Sequence, residues 1–505
     1  MMAEARDLSG MRLAELAPGG DGMQQGGETS IRGLALDSRG VGPGYLFLAC
    51  KGQDHHGLAH LADARARGAV ACFYDPDGAS SYITSLIGIP ALAVPDLGRR
   101  ASAIAARFYG DPTAQQRVMA VTGTNGKTSV SLITAQSLSE HGRPCGVLGT
   151  VGFGAYGKLQ PPTHTTPDAV STQAWLARFR DQGLGHVSME ASSHALDQGR
   201  IDGVHVEVAV FTNLTHDHLD YHGDMASYGA AKRRLFEHPG LKHAVINLDD
   251  SVGRELAASL PRNVRCIGYT LEDRDCPRGW TLKGGDLVLG SGGLSFQVSS
   301  EAGQGRVESR LLARFNAENL LAVLGVLLAF GLTFEESLRA LDRAHTVPGR
   351  MECFGGGRTQ PLVVVDYAHT PDALEKALQA ARGHTRGRLW CVFGCGGERD
   401  RGKRPQMGAI AERLADRVVV TDDNPRGEDG DVIVADILAG IRDHARAAVE
   451  RDRAKAVERA VREAHPGDVV LVAGKGHETE QVVGKLKLHY SDRETAAHLT
   501  GEVVT

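Results

Sequence analysis

Long apolar runs are missing from this 505-residue chain. No stretch reaches the ~18 uninterrupted apolar residues of a membrane span, so no membrane association is expected. A long basic run is missing too, and the net charge is −5, which gives no electrostatic footprint for nucleic acid. The eight cysteines (Cys50, Cys72, Cys145, Cys266, Cys276, Cys353, Cys391 and Cys395) include no C-x-x-C pair. Cys391 and Cys395 stand four apart, and Cys391 lies in an apolar run that reads as a buried strand, which argues against a zinc site or a disulfide framework. The opening MMAEARDLSG has acidic residues and no apolar segment, so it does not read as a signal peptide. Aromatics are few, at 5%, and charged residues make up 23%; both suit a soluble α/β enzyme. A reduced, cytoplasmic protein is expected.

Glycine, by contrast, is plentiful: 63 residues, many of them in loops between apolar runs, where backbone and ligand approach closely. The length suggests about three domains at ~150 residues each, and no solenoid repeat is apparent. The first ~20 residues and the following DGMQQGGE read as a mobile lead-in. Short apolar runs then alternate with a helix over 60–68, and another helix over 99–109 ends at Gly110-Asp-Pro. A strand over 118–121, a glycine loop and a helix over 129–141 follow. Further strands are predicted at 187–189, 206–211 and 244–246, so this part is a wound α/β sheet. From 279 to 307, period-two alternation with glycine turns suggests a β-hairpin appendage. After His345-Thr-Val-Pro-Gly-Arg350 the pattern restarts, with apolar strands ending at Asp366, Phe393, Thr421 and Ala473. Amphipathic helices between them predict another doubly wound sheet.

The loop reads VTGTNGKTS, Val121 to Ser129. A P-loop written G-x-x-x-x-G-K-[ST] needs glycine five residues before Gly126, but Val121 stands there; Gly123 supplies a shorter loop. Between strand and helix, its backbone N–H groups favour a polyphosphate. Lys127 is placed for the phosphate oxygens and the Thr128 hydroxyl for Mg²⁺. Glu190 ends the strand of SMEASSHALDQGR (Ser188–Arg200), where a carboxylate either holds a metal or forms a salt bridge. THDHLDYH, Thr215 to His222, packs three histidines and two aspartates into eight residues. Imidazoles suit zinc, whereas Mg²⁺ prefers oxygen; a polar loop with chance histidines is the plain alternative. Lys232, on an amphipathic helix, reads on its own as a surface lysine. Asn316 opens the helix of ARFNAENLLA and reads equally as an N-cap.

In the carboxy-terminal part, position carries the information. DYAHTPD, GCGGERDRGKRP, TDDNPRGED and GKGHE all follow strand ends, where open α/β sheets bind ligands. Arg399 and Arg426 suit a carboxylate, and Asp423 an ammonium. A zwitterionic amino acid fits that set better than a sugar or a base.

Together these residues and motifs resemble the Mur ligases over essentially the whole chain after the lead-in, and T-G-T-N-G-K-T is the form of the loop shared with folylpolyglutamate synthetases. The resemblance implies three α/β domains: a UDP-binding one (1–98), a central P-loop-type wound parallel sheet that binds ATP (99–346) and a Rossmann-like one for the amino acid (347–505). It implies ATP as co-substrate and two Mg²⁺ ions. Lys127 and Thr128 look like the phosphate and Mg²⁺ residues, within an ATP site of Gly123, Thr124, Asn125, Gly126, Lys127, Thr128, Ser129, Asn316, Arg350, Asp366 and Tyr367. Glu190 and His218 look like further Mg²⁺ ligands. Lys232 falls at the family's carbamylated lysine, a third, which overturns the surface reading. Thr165, Thr166, Ser192, Gln198 and Arg200 resemble muramoyl-dipeptide contacts, with Ser38 and Arg39 near the uridine. His56 departs from the family, whose members often carry an acid there.

DNPR is the version associated with meso-diaminopimelate, whose second carboxylate Arg426 would bind. Arg399, Asp423, Asn424, Gly474 and Glu478 complete that pocket. The implied reaction joins meso-diaminopimelate to UDP-N-acetylmuramoyl-L-Ala-D-Glu through an acyl phosphate, as a step in peptidoglycan synthesis by a monomer acting on small molecules alone. His369 or a nearby carboxylate takes the amine's proton. L-Lysine as the added amino acid, a P-loop NTPase switch, a dinucleotide oxidoreductase suggested by Gly394-x-Gly-Gly, and a non-catalytic sugar-nucleotide binder are the competing readings.

Overall fold

The computed structural model describes residues 10–17, 26–52, 55–162, 165–290 and 292–503. It divides into two compact units, one of Met1–Ile267 with Cys276–Gly279, the other of Gly268–Asp275 with Trp280–Thr505. Most of the lead-in lies outside the described residues. Residues 10–17 depart from that expectation: Met11–Arg12 pairs antiparallel with Ser30–Ile31, and a helical turn, Leu13–Leu16, buries Leu13 and Leu16. Two leucines three apart on one helical face supply the anchor.

Besides that two-stranded pair, the first unit holds two larger sheets. The smaller is parallel, ordered Gly33–Ala35, Tyr45–Ala49, Ala69–Tyr74, Ala91–Ala93. Helix Leu97–Phe108 packs on it through Leu97, Ala101, Ile104, Ala105 and Phe108, an i, i+4, i+7, i+8, i+11 stripe that fits one apolar face. The same helix packs against helix Ala169–Asp181 of the larger sheet. That sheet has a parallel core ordered His243–Asn247, Val206–Phe211, Arg117–Thr122, His186–Glu190, Cys145–Gly149. Its strands are Val-rich and buried, as expected of parallel strands covered on both faces. Helix Lys127–Glu140 crosses from the central strand and starts two residues earlier than predicted, because Gly126, at φ 85°, takes the left-handed N-cap position.

The second unit contains the expected hairpin region, but as a three-stranded meander, Gly279–Gly290, Gly293–Ser300 and Gly303–Ser309. Gly303 at φ 153° turns the chain a second time, and that second turn is what the alternation alone does not disclose. The carboxy-terminal sheet is ordered Glu352–Gly355, Leu362–Asp366, Val469–Ala473, Leu389–Phe393, Arg417–Val420, Ala447–Val449, parallel except at its first strand. The four predicted strands end where the sequence pattern places them, within one residue, while Glu352–Gly355 and Ala447–Val449 are not predicted by it.

One ion pair stands inside this unit. The Arg453 and Asp492 side chains are fully buried and joined at 2.8 Å through both Nε and Nη2. Arg453 also donates to the Ala473 carbonyl, and Tyr490 to Asp492. Removing one partner leaves an uncompensated charge in the interior. Asp492→Ala is expected to lower stability by about 3–5 kcal/mol in urea unfolding, and Arg453→Met with Asp492→Leu to recover much of that. A loss within experimental error for the single variant would show that the pair contributes nothing.

Candidate functional site

The central sheet sets the first part of the site. Strands Arg117–Thr122 and His186–Glu190 run side by side with Glu190 opposite Val121, so the carboxylate emerges beside the glycine loop. Gly123 adopts φ 146°, and a Cβ there would lie 1.9 Å from Thr212 Oγ1. Thr212 itself donates to the Asn125 carbonyl at 2.5 Å, and Asn125 N–H donates to the Asn213 side chain at 2.9 Å. The shortened loop is thus tied to the end of strand Val206–Phe211.

Thr124, Asn125, Gly126, Lys127, Thr128, Thr165, Glu190, Ser192, His218 and Lys232 line one pocket of about 260 Å³. Gly123 and Ser129 flank it in the chain. Lys127 donates to the carbonyls of Gly123 and Thr124, both at 2.9 Å. Lys232 is 2% exposed and donates to the same Gly123 carbonyl at 2.8 Å. Its amine also lies over the Tyr228 ring, 4.5 Å from the centroid. Burial, followed by the charge of Lys127, brings the Lys232 pKa down to about 7; burial lowers that of Lys127 as well. The surface reading of Lys232 fails because Ala231, Tyr228 and Leu235 turn its face of helix Met225–Arg233 and the following turn inward.

Glu190 is buried to 1% exposure. It accepts from Thr128 Oγ1 at 3.2 Å, from Thr150 N–H at 2.8 Å and from Thr150 Oγ1 at 3.1 Å. Burial raises its pKa, and those hydrogen bonds only partly oppose it. Among the described residues no group of three or more His, Cys, Asp and Glu side chains is spaced to hold a metal. His218 sits at φ 52°, with its ring edge-on to His194 and Tyr228 and Nε2 3.4 Å from Asp217.

Thr166, Gln198 and Arg200 form a second group that reaches the pocket through the backbone. Thr166 Oγ1 donates to the Glu190 carbonyl and accepts from Ser192 N–H. Arg200 donates to the Thr166 carbonyl at 3.0 Å and to Gln198 Oε1 at 2.9 and 2.7 Å. Ser38 and Arg39 lie apart, on the small sheet, in the turn Ser38–Gly40. The Arg39 guanidinium is paired with Asp37 at 2.6 Å and 84% exposed, and that pairing drops the Asp37 pKa to about 2. His56 is buried; Nδ1 accepts from Leu58 N–H and Nε2 lies 2.9 Å from the Asp75 carbonyl. It is therefore a neutral imidazole protonated on Nε2, and both nitrogens are used within the fold.

In the second unit Asn316 is inside helix Arg314–Ala329 and is not its N-cap, a place held by Ala313. Its amide donates to the Leu312 carbonyl and accepts from Asn319. Arg350, Asp366 and Tyr367 do come together. The guanidinium lies 4.8 Å over the Tyr367 ring, while Asp366 accepts from Met351 and Ala368 N–H, each at 2.8 Å. Burial raises the Asp366 pKa.

Asp366 is paired in register with Ala473, and Ala473 with Phe393, which brings the four polar motifs to one sheet edge. Asn424 donates to Glu478 at 3.2 Å. Asp423 is 8% exposed, and burial raises its pKa. Arg426 donates to the Gly397 carbonyl at 2.9 Å. Gly396 lies between the two arginines: a Cβ there would stand 2.8 Å from Arg426 Nη1 and 3.7 Å from Arg399 Cγ. Gly474, at φ 123°, borders Asp423 and Arg453.

Sequence reasoning missed Lys475. It is fully buried and donates to Glu478, Asn424 and the Glu480 carbonyl at 3.0, 3.3 and 2.7 Å. Its signal was a lysine between two glycines at a strand end. Thr150, which holds Glu190, and Tyr228, under Lys232, carry no such signal.

Three family profiles match the chain: the Mur ligase catalytic domain over residues 30–109, the Mur ligase middle domain over 121–327 and the Mur ligase glutamate ligase domain over 349–476. The UDP-N-acetylmuramoyl-L-alanyl-D-glutamate–2,6-diaminopimelate ligase of Alkalilimnicola ehrlichii is 50% identical over 501 residues, covering 97% of this chain and 99% of that one. The ligase of the same name from Pseudomonas aeruginosa is 49% identical, with 92% and 94% covered. A solved structure of an enzyme of that name is 36% identical with a TM-score of 0.79, covering 97% of this chain and 99% of its own. A Mycobacterium tuberculosis folylpolyglutamate synthase shares the fold at 20% identity and a TM-score of 0.53. With one residue in two shared along 97% of the chain and three family profiles matched in order, the chain belongs to the Mur ligase family.

Proposed function

We propose that this chain is the ATP-dependent ligase that joins meso-diaminopimelate to the D-glutamyl carboxylate of UDP-N-acetylmuramoyl-L-Ala-D-Glu in peptidoglycan synthesis, acting as a cytoplasmic monomer. The observation that carries the reading is the pocket in which the loop residues Lys127 and Thr128 face Glu190, Thr165, Ser192 and Lys232. A nucleotide phosphate and an acceptor carboxylate can meet there, and the names of the relatives specify the two partners joined.

The glutamyl carboxylate oxygen attacks the γ-phosphorus of ATP, breaking its bond to the β–γ bridging oxygen and giving an acyl phosphate and ADP. Lys127, now hydrogen-bonded to loop carbonyls, turns its ammonium to the phosphate oxygens and stabilises the spreading charge. The neutral amine of diaminopimelate then attacks the acyl carbon, and the tetrahedral intermediate expels phosphate. His369 Nδ1 lies 2.8 Å from the Tyr367 carbonyl; donating there leaves Nε2 as the acceptor for the amine's proton. Asp423 and Arg399 hold the zwitterion, and Arg426 holds the distal carboxylate. Arg200 and Gln198 hold the muramoyl peptide, with Ser38 and Arg39 toward the uridine.

Thr128, Glu190, His218 and Lys232 as its carbamate are the residues that would hold Mg²⁺. The donor set fits. Mg²⁺ is bound through one or two carboxylates together with water and substrate phosphate oxygens, not in an all-protein cage, and a buried Glu190 with a raised pKa gains from a cation beside it. When bound, the ions neutralise phosphate charge in the transfer. Lys232, with its pKa near 7, exposes a free amine lone pair at physiological pH. Attack of that neutral amine on CO₂ forms an N–C bond, moves one C=O π pair onto oxygen, releases one proton and replaces a neutral amine by a carbamate anion.

With ATP, Mg²⁺ and the UDP-muramoyl dipeptide, phosphate release is expected with meso-diaminopimelate and only weakly with L-lysine. A clear preference for lysine would defeat the assignment of Arg426. Arg426→Ala should cost roughly 10–150-fold in kcat/KM for diaminopimelate, the worth of a charged hydrogen bond, with a smaller effect on ATP.

Lys232→Ala should abolish turnover and regain part of it with short carboxylic acids; an unaffected variant would end the carbamate assignment. The pH dependence has a definite sign. A lysine whose folded pKa lies below its unfolded value costs stability fully below about pH 7. That cost fades as pH rises toward the ordinary ~10.4. Carbamate formation, read by ¹³C NMR with labelled bicarbonate, should therefore be strong at pH 8 and weak at pH 6.

A further inference from the structure

The far end of the carboxy-terminal sheet carries a second concavity, of about 480 Å³. Its walls contain five arginines, Arg388, Arg417, Arg446, Arg459 and Arg462, with Glu463 as the one acidic residue. All the motifs of the amino-acid pocket follow the carboxyl ends of these strands, whereas Arg388 precedes strand Leu389–Phe393, Arg417 opens Arg417–Val420 and Arg446 precedes Ala447–Val449. A five-residue strand separates the two ends by roughly 16 Å. The concavity is a separate site.

The register explains why the arginines converge. Trp390 is paired with Arg417 and Val418 with Ala447, which sets Arg446 beside Arg417. Because side chains alternate along a strand, Trp390 and its register partner Arg417 share one face of the sheet, and Arg388 and Arg446, just before their strands, line the same concavity. Helix Arg453–Glu463 covers that face through Ala456, Val457 and Ala460, and it contributes Arg459 and Arg462 to the same concavity. Neighbouring strands lie ≈ 4.8 Å apart, so the row of three arginines on successive strands spans roughly 10 Å.

The charges are incompletely matched. Arg459 pairs with Glu463 and Arg462 with Glu458, exposed pairs along one helix that are worth little. Arg446 donates to the Ala415 carbonyl. The guanidinium groups of Arg388 and Arg417 make no hydrogen bond or ion pair among the described residues. A cluster made only of arginines, with planar forks and no lysine, suits phosphate oxygens approached two at a time. A row longer than one phosphate suits a chain of them.

We infer that this concavity is a binding site for a linked di- or triphosphate, distinct from the nucleotide loop and from the amino-acid pocket. Trp390 lines it and is buried, so occupation should change its fluorescence.

The full-length protein, its nucleotide loop first saturated with ADP, is titrated with inorganic tripolyphosphate while tryptophan emission and heat are recorded. One further site is expected, with affinity falling steeply as salt rises and at least tenfold weaker binding of orthophosphate. Arg388→Ala with Arg417→Ala should weaken tripolyphosphate at least tenfold and leave ADP binding unchanged. Arg388→Lys with Arg417→Lys, which keeps the charge and loses the forks, should fall between, and thermal unfolding confirms that each variant is folded. Uridine diphosphate in parallel, counting only the binding lost in the double alanine variant so that the uridine site near Ser38 and Arg39 is excluded, identifies the source: tighter binding than pyrophosphate assigns the concavity to a nucleotide, equal binding to inorganic polyphosphate. No saturable binding at millimolar tripolyphosphate, equal affinity for orthophosphate, or binding indifferent to the double alanine variant overturns the inference.

Discussion

Two lysines donate to one backbone oxygen, the carbonyl of Gly123, and the chemistry of the site follows from that constraint. Amines each within 3 Å of one atom are less than 6 Å apart. At an effective dielectric constant near 20, two full positive charges at that spacing repel by roughly 3 kcal/mol. The fold relieves the conflict by making one amine easy to deprotonate, the more buried Lys232, and on the proposed reading Lys127 is left as the cation for phosphate. The division of labour proposed for them, nucleophilic amine and phosphate clamp, rests on burial, since the two side chains are chemically identical. Gly123 permits it: any side chain there would collide with Thr212, and the loop could not present its carbonyl to both lysines.

The opposite arrangement governs the anion beside them. Glu190 has its oxygens bonded by Thr128 and Thr150, yet burial still raises its pKa. A carboxylate so placed is a poor permanent anion and a good partner for a cation that arrives with substrate. With a lysine easily neutralised and a reluctant carboxylate, the site carries less charge than its residues alone suggest. On the proposed reading nucleotide and Mg²⁺ bring in opposite charges together, and each makes the other's binding less costly.

The legible part of this molecule is the part written in periodicity and punctuation. The strand ends at Asp366, Phe393 and Ala473 stand where the apolar runs stop, because a buried parallel strand is a continuous apolar run. The loop between strand and helix was legible for the same reason. What stayed hidden depends on three-dimensional context. Lys232 sits on a helix read as amphipathic, whose charged positions are ordinarily solvated, and only packing reveals that its face turns inward. Thr150 and Lys475 reach their partners across 40 and 51 positions of sequence, and no local pattern encodes such distances. The third strand of the meander was lost because alternation marks strands but does not count turns. Leu13 and Leu16 were lost in a glycine-rich neighbourhood that drew attention from two buried side chains.

Arg426 shows how backbone and recognition are joined. It has φ 53°, a left-handed conformation that costs a residue with a Cβ roughly 1–2 kcal/mol. The hairpin Glu480–Val483 with Leu486–His489 holds it there: Arg426 N–H donates to the Val482 carbonyl at 3.0 Å, and Gly484 N–H donates to the Arg426 carbonyl at 2.6 Å. Val482 N–H in turn donates to Asn424 Oδ1, and Lys475 binds both that oxygen and the Glu480 carbonyl. The strained turn, the buried lysine and the hairpin therefore form one unit, and removing any of them frees the others. Proline at 425 contributes from the sequence side, since it removes one N–H from a segment with few partners to spare. A guanidinium on a relaxed turn would sample many directions. Held through its backbone on both sides and by its own bond to the Gly397 carbonyl, the Arg426 guanidinium lies beside Gly396, where a Cβ would stand 2.8 Å from Nη1; on the proposed reading that space takes the distal carboxylate.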